Sequence, residues 1–148
     1  MDYITGGTEL IDEISPLWEM TKQHHISKVS HFREQFESKT FEQRKTELLK
    51  KCIDGKMLIV IAKADNKNIG YCLSIAADNK GDIESLYVMP EYRKGGVART
   101  LMEMSMSWLQ DAACEEIALT VAVGNEEVLP FYEKLGFYPN LINLVYKN

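Results

Sequence analysis

The first third of the chain repeats apolar residues every three to four positions, which is the spacing of amphipathic helices. We predict one helix over residues 8–24, with an apolar face made of Leu10, Ile11, Ile14, Leu17, Trp18 and Thr21. Pro16 either kinks this helix or stands at the first position of a fresh helix capped by Ser15. A second helix begins at a capping-box pattern, Thr40-Phe41-Glu42-Gln43, and ends at Gly55.

The middle of the chain changes to runs of β-branched and apolar residues separated by turn residues, which predicts strands. Three strands of a meander are expected at residues 57–64, 69–77 and 82–89. A four-residue loop at 65–68 separates the first two strands, and Asn79-Lys80-Gly81 makes the next turn.

A helix is predicted after Gly96, with apolar residues at Val97, Leu101, Met104 and Trp108. The remaining elements are a strand over 116–123, a helical segment near 126–135 closed by Gly136, and a final strand over 137–146. With a short edge strand expected over residues 2–5, the order β-α-α-β-β-β-α-β-α-β predicts an α/β fold around a mixed sheet.

Length, charge and cysteine usage narrow the class of protein. The chain has 148 residues, so we expect a single domain over 1–148. The formal net charge of −5 argues against nucleic-acid binding, which needs a basic face. Three cysteines without a CxxC pair indicate free thiols in a reducing compartment. Without a signal-peptide pattern, and with no apolar run longer than Met57–Ala62, we expect a cytoplasmic protein without a membrane segment.

The stretch from Leu86 to Arg99 is the most informative for chemistry, because a strand there runs into a glycine-containing loop that opens a helix. Such a turn presents unpaired backbone N–H groups at the positive end of the helix dipole. Gly95 and Gly96 permit an anion to approach the backbone closely, and Lys94 adds positive charge. The expected ligand is a phosphate or pyrophosphate, but neither a P-loop nor a dinucleotide-binding GxGxxG pattern is present.

Two motifs carry a resemblance to a known family. Arg93-x-x-Gly96-x-Ala98 resembles the pyrophosphate loop of the GNAT superfamily of N-acetyltransferases. The segment Asn125-x-x-Val128-x-x-Phe131-Tyr132-Glu133-Lys134-Leu135-Gly136-Phe137 is similar to a second motif of that superfamily, with Val128 in place of the usual small residue. The resemblance covers residues 82–137 and implies a mainly antiparallel central sheet with helices on both faces.

The same resemblance implies that acetyl-CoA is the acyl-donor cosubstrate. The residues that would bind it are Leu86, Tyr87, Val88, Arg93, Lys94, Gly95, Gly96, Val97, Ala98, Arg99 and Asn125. We also expect Asn125 to cap the helix that follows it.

Amide formation needs a deprotonated amine, and the third meander strand offers two carboxylates for this task. Period-two alternation would place Asp82, Glu84, Leu86 and Val88 on one face of that strand. Glu84 is the preferred base, because its offset four residues before Val88 resembles that of the polyamine acetyltransferases, and Asp82 is the alternative. A backbone N–H at Leu86 or Val88 would stabilise the oxyanion. The resemblance places the Tyr132 hydroxyl beside the thioester sulfur, where it can act as the general acid.

The acceptor is less defined by the sequence than the donor. Residues 15–45 would cover the acceptor side, with aromatic rings and histidines available at Trp18, His24, His25, Phe32, Phe36 and Phe41. The histidines lack the spacing of a metal site, so no metal is expected. We expect N-acetylation of a small-molecule primary amine. The alternatives are a protein or peptide amine, or an acyl-CoA-binding module without turnover, and a homodimer is left open.

Overall fold

The computed structural model describes residues 1–148 and contains one sheet of five strands in the order β1-β2-β3-β4-β5. Neighbouring strands are antiparallel from β1 to β4, whereas β4 and β5 are parallel. The mixed, mainly antiparallel sheet expected from the sequence is therefore confirmed. The strands are Asp2–Gly6, Gly55–Ala64, Lys67–Ala77, Lys80–Val88 and Glu116–Leu119.

Five α-helices pack around this sheet: α1 to α5 are Ser15–Lys28, Arg33–Ser38, Phe41–Lys51, Val97–Asp111 and Leu129–Lys134. Short 3₁₀ segments lie at Thr8–Ile14, Pro90–Tyr92 and Glu126–Val128. Pro16 stands in the first turn of α1, directly after the 3₁₀ segment, so a fresh helix begins there. Ser15 is the first residue of this helix, and the cap position is Ile14, which makes no side-chain cap, so the Ser15 cap is not formed. No helix combines the length and apolar character that a membrane crossing needs.

Two-residue turns join the strands of the meander, and they are shorter than the sequence predicts. Asp65 and Asn66 connect β2 to β3, and Asp78 and Asn79 connect β3 to β4. All four residues have positive φ, between 49° and 65°, which is the backbone of the hairpin turns that match strand twist. The predicted loop at 65–68 and the predicted turn at 79–81 each include residues that pair in strands.

The sheet is covered on both faces. Cys72 of β3 lies beside Ser105 of α4, and its neighbour Tyr71 points to the opposite face, beside Thr21 of α1. We refer to these as the α4 face and the α1 face. The core between the layers is built mainly from fully buried residues of the central strands and α4, among them Ile59, Ile61, Ile69, Tyr71, Leu73, Leu101, Met102 and Leu109.

The last dozen residues differ from the prediction. No strand forms between residues 137 and 146, and β5 ends at Leu119 and not at residue 123. The apolar side chains of this segment are exposed: Tyr138, Leu141, Ile142, Leu144, Val145 and Tyr146. Apolar, β-branched composition favours a strand only where a neighbour supplies a ladder, and β5 pairs with β4 alone.

The start of α3 has the predicted capping box. The Gln43 N–H donates to Thr40 Oγ1 at 3.1 Å, and the Thr40 N–H donates to Gln43 Oε1 at 2.9 Å. We expect Thr40→Ala to lower the free energy of unfolding by about 1 kcal/mol, because it exposes an unpaired helix N–H. Urea unfolding measures this loss. Thr46→Ala, which removes an exposed hydroxyl inside the same helix, should change stability by under about 0.5 kcal/mol, and equal losses would contradict the cap.

Candidate active site

A β-bulge in β4 sets the geometry of the candidate site. Leu73 of β3 pairs with Ser85, but the next residue, Ser74, pairs with Ile83, so Glu84 is an extra residue without a partner. Directly paired residues share a face.

The bulge overturns the predicted alternation along β4. Ile75 pairs with Asp82 and Tyr71 pairs with Tyr87, so both β4 residues lie on the α1 face. Leu86 pairs with Cys72 and therefore lies on the α4 face, as does Val88. The inserted Glu84 shifts the alternation of side chains by one position. Asp82 therefore lies on the opposite face of the sheet from Leu86 and Val88.

Glu84 lies on the α1 face, where two cations of α3 hold its carboxylate. Arg44 approaches Glu84 Oε1 at 3.2 Å, and Lys51 Nζ approaches Oε2 at 2.9 Å. Only 7% of the Glu84 side chain is exposed. Asp82 lies nearby, and its partial burial, followed by the neighbouring Glu84 carboxylate, raises the pKa of Asp82. The two candidate bases therefore lie close together.

β4 and β5 separate after four paired residues. The parallel pairing covers only Lys80–Ile83 against Glu116–Leu119, so the rest of β4 has an open edge. The Met89 N–H donates to the Ile69 carbonyl on the β3 side at 2.8 Å. Because backbone groups alternate between the two sides of a strand, the N–H groups of Leu86 and Val88 face the open edge. These are the two donors predicted for the oxyanion.

The glycine-containing loop lies at the end of this open edge. Lys94 and Gly96 have φ of 72° and 82°, and Gly96 immediately precedes α4. A Cβ added at Gly96 would meet no protein atom within 4 Å, so the backbone there is accessible to a ligand. Gly95 and Lys94 are exposed beside it. The first-turn N–H groups of α4, including those of Val97 and Ala98, have no partner within the helix, and such a turn can accept an anion.

The basic side chains of the loop have different roles. The Arg93 Nε donates to the Val88 carbonyl at 2.8 Å, and its guanidinium lies 5.4 Å from the centre of the Tyr87 ring. Arg93 therefore fastens the loop to the end of β4. The Arg99 side chain binds Glu103 on the surface of α4. The Val97 side chain is buried in the core, so only its backbone can contact a ligand.

Asn125 and Tyr132 follow β5 along the chain. Asn125 makes no capping bond to the segment after it, contrary to the prediction, and its Oδ1 lies 3.2 Å from His24 Nε2 on α1. The Tyr132 ring packs against Phe131 and Phe137. Burial raises the pKa of Tyr132 to about 12, and its hydroxyl has no hydrogen-bond partner in the protein. The phenol therefore stays protonated at neutral pH.

A cavity of about 340 Å³ lies between the first three helices and β4, on the α1 face. Of the residues predicted for the acceptor side, Trp18, His25 and Phe36 line it, whereas Phe41 packs edge-on against Trp18 in the core. No sequence pattern pointed to the other lining residues as parts of a site. Their polar side chains come from the first three helices, the connection between α2 and α3, and β4: Thr21, Lys22, Gln35, Lys39, Arg44 and Ser85. No group of three or more His, Cys, Asp or Glu side chains is arranged to hold a metal ion.

Comparisons with known proteins point to one family. The profile described as "Acetyltransferase (GNAT) family" matches residues 18–137. An N-alpha-acetyltransferase of Saccharolobus solfataricus is 48% identical over 59 residues, which are 39% of this chain and 35% of that protein. An aminoglycoside N(6')-acetyltransferase type 1 of Acinetobacter baumannii is 34% identical over 56 residues, 38% of each chain. The chain thus spans little more than a third of the length of these relatives.

Solved structures show the same fold over nearly the whole chain. The PaiA N-acetyltransferase of Thermoplasma acidophilum, in complex with coenzyme A, has a TM-score of 0.71 at 22% identity, covering 97% of this chain and 94% of that one. The aminoglycoside N-acetyltransferase AAC(6')-Iy, in complex with CoA, has a TM-score of 0.70 at 17% identity, covering 99% and 93%. Because the family profile matches well over half of the residues, and the fold agrees with it, this chain belongs to the GNAT family of acetyltransferases.

Proposed function

We propose that the protein transfers an acetyl group from acetyl-CoA to the primary amine of a small molecule. The observation that carries the proposal is the open edge of β4, where two backbone donors lie between an anion-binding turn and a cavity on the α1 face. Two neighbours in fold are described as complexes with CoA, which fits the same arrangement.

The donor would lie along the open edge. The pyrophosphate of acetyl-CoA would accept hydrogen bonds from the backbone of Gly95, Gly96 and the first turn of α4, with Lys94 adding charge. The amide groups of the pantetheine arm would pair with the free backbone of β4 around Leu86 to Val88, as an added strand does. Asn125, which follows β5 along the chain, would contact the same arm. The resemblance implies that the thioester would then lie beside the Tyr132 hydroxyl.

The reaction would proceed by direct attack in a complex of both substrates. The amine nitrogen forms a bond to the thioester carbon while the carbonyl oxygen becomes an oxyanion, which the Leu86 or Val88 N–H would stabilise. The carbon–sulfur bond then breaks and the CoA thiolate leaves. Tyr132 would donate its proton to that sulfur and recover one from the amine through solvent. The products are the N-acetylated amine and free CoA.

The amine must lose a proton before it attacks. At pH 7 only about one alkylamine in 2,500 is uncharged. Glu84 would accept this proton, directly or through water, while its ion pairs with Arg44 and Lys51 hold the carboxylate in place. Asp82 is the alternative, and its raised pKa moves it in the direction that a base at neutral pH requires.

A protein or peptide amine is the second candidate acceptor, because three relatives are N-alpha-acetyltransferases. The cavity favours the small molecule: it is bounded by three helices and a strand, and its size matches sites for small ligands.

Release of CoA thiol, followed with a thiol reagent across a broad amine panel, tests the proposed activity. We expect release with at least one amine, and we expect Tyr132→Phe to lower kcat about 100-fold while acetyl-CoA still binds. Tyr138→Phe, in the exposed C-terminal segment, is the matched control. Binding of acetyl-CoA without release for any amine would establish a non-catalytic CoA-binding module. Equal kcat in Tyr132→Phe and the wild type would reduce Tyr132 to a packing residue.

Gly96→Val tests the anion-binding turn. The branched side chain would occupy the space through which the pyrophosphate approaches the backbone, so we expect acetyl-CoA affinity to fall tenfold or more by calorimetry, about 1.4 kcal/mol. Gly136→Val is the control, because Gly136 has a similar φ of 95° and an equally open Cβ position away from the turn. A folded Gly96→Val protein with wild-type affinity, or equal losses in both variants, would refute the assignment.

Glu84→Gln tests the base. If Glu84 accepts the proton, the loss in kcat/KM should be largest near pH 7 and shrink as the pH rises toward the pKa of the amine, since solvent then removes the proton. Disrupted ion pairs with Arg44 and Lys51 would instead lower kcat/KM by one factor at every pH. Profiles from about pH 6.5 to 9.5 separate the two effects. Asp82→Asn is the parallel variant, and a pH-dependent loss there alone would transfer the role to Asp82.

A further inference from the structure

The walls of the α1-face cavity are positively charged, although the whole chain carries a net charge of −5. Lys22, Lys39 and Arg44 line the cavity, and Glu84 is the one acidic side chain among its lining residues. Glu84 is already bound by Arg44 and by Lys51 behind it. The cavity therefore presents a local cationic surface to whatever enters it.

Lys22 is the cation of this group without a carboxylate partner. Lys39 binds Glu47, and Arg44 binds both Glu84 and Glu47. The Lys22 ammonium instead donates to the backbone carbonyl of Lys39 at 2.9 Å and lies 6.0 Å from the centre of the Trp18 ring. An ammonium has three donor hydrogens, so this carbonyl leaves Lys22 able to bind an anion.

His25 adds an independent observation on the same wall. Its Nδ1 is buried without a hydrogen-bond partner, next to the ring of Phe36 at 5.8 Å between ring centres. A buried polar atom without a partner costs free energy unless a ligand or water satisfies it. Burial, and secondarily the neighbouring His24, lower the pKa of His25, so the neutral ring can accept or donate a hydrogen bond here.

We propose that the acceptor of this enzyme is a primary amine that also carries an anionic group, a carboxylate or a phosphate, and that Lys22 binds that group. The inference rests on the proposed acetyl transfer and specifies the substrate class of the same site. A polycationic acceptor such as a polyamine or an aminoglycoside would be repelled by these walls. The same positive charges stabilise the uncharged form of a bound amine, which is the form that attacks.

Matched pairs of acceptors test the proposed substrate class. Each common α-amino acid is compared with its carboxamide, and phosphoethanolamine is compared with ethanolamine, with putrescine as the polycation. Thiol release should give kcat/KM at least tenfold higher for the anionic member of a productive pair. The carboxamide has the less basic amine and hence more of the free form, so intrinsic reactivity opposes the expected result. The two kinds of pair show whether the anion is carboxylate or phosphate.

Variants test whether Lys22 causes the preference for anionic acceptors. The ratio of anionic to uncharged acceptor should fall toward one in Lys22→Met, persist in Lys22→Arg, and persist in Lys50→Met, which removes an exposed lysine of α3 outside the cavity. A merely structural role of Lys22 would lower both rates and leave their ratio unchanged. A wild-type-like ratio in Lys22→Met would overturn the assignment to Lys22.

A binding measurement separates this inference from the proposed activity. Calorimetry with CoA present compares each N-acetyl amino acid with its amide, and N-acetylphosphoethanolamine with N-acetylethanolamine. At least tenfold tighter binding of an anionic member would support the inference, whether or not any amine releases CoA thiol. Absence of thiol release with every amine would refute the proposed activity but not this inference. Turnover with putrescine or uncharged amines at equal or higher kcat/KM, or equal binding within every pair, would overturn the inference and leave acetyl transfer intact.

Discussion

After Ile83 the fourth strand loses its neighbour on one side, and its backbone groups must find other partners. Two of the carbonyls on this side are satisfied by arginine side chains: Arg44 donates to the Glu84 carbonyl at 3.3 Å, and Arg93 donates to the Val88 carbonyl at 2.8 Å. The N–H groups of Leu86 and Val88 face the same edge. The edge therefore keeps the N–H groups of Leu86 and Val88 and the carbonyl of Leu86, which is the pattern that an extended amide chain can pair with.

The bulge in β4 and the end of the β4–β5 pairing occur at the same place. Glu84 is inserted directly after Ile83, so the strand bends where it leaves β5. Arg44 contacts both the carbonyl and the carboxylate of Glu84, which ties α3 to this bend. Removing these cations would leave a buried carboxylate without a partner, which would strongly destabilise the fold. The ion pairs thus fix the position of the α1-face cavity relative to the open edge.

Much of the fold could be predicted from the sequence because its signals are local. The capping box at Thr40 and the glycine turn before α4 are patterns of a few adjacent residues. The bulge has no such signal: Ile83-Glu84-Ser85 reads as ordinary strand, and the register is decided by pairing with β3. The alternation predicted for β4 was wrong for this reason.

For the candidate site too, local motifs led to predictions, whereas groupings made only by the fold did not. The donor side is predicted from the motifs around Gly96 and Tyr132. The cations of the cavity wall instead come from α1 (Lys22), the connection between α2 and α3 (Lys39) and α3 (Arg44), and no spacing along the chain relates them. The predicted strand at 137–146 failed for the opposite reason. Its composition is that of a strand, but strand formation requires a partner that composition does not show.

The tight turns at Asp65–Asn66 and Asp78–Asn79 have a consequence for the kinetics of folding. They make β2, β3 and β4 a sequence-local unit, whereas pairing of β1 with β2 must close about fifty residues of intervening chain. Local contacts form faster than distant ones, so we expect the meander to be protected early in refolding and β1 to join it late. Pulsed hydrogen exchange would show this order, and simultaneous protection of β1 and β3 would contradict it. The open edge of β4 would then exist before the N-terminal strand has docked.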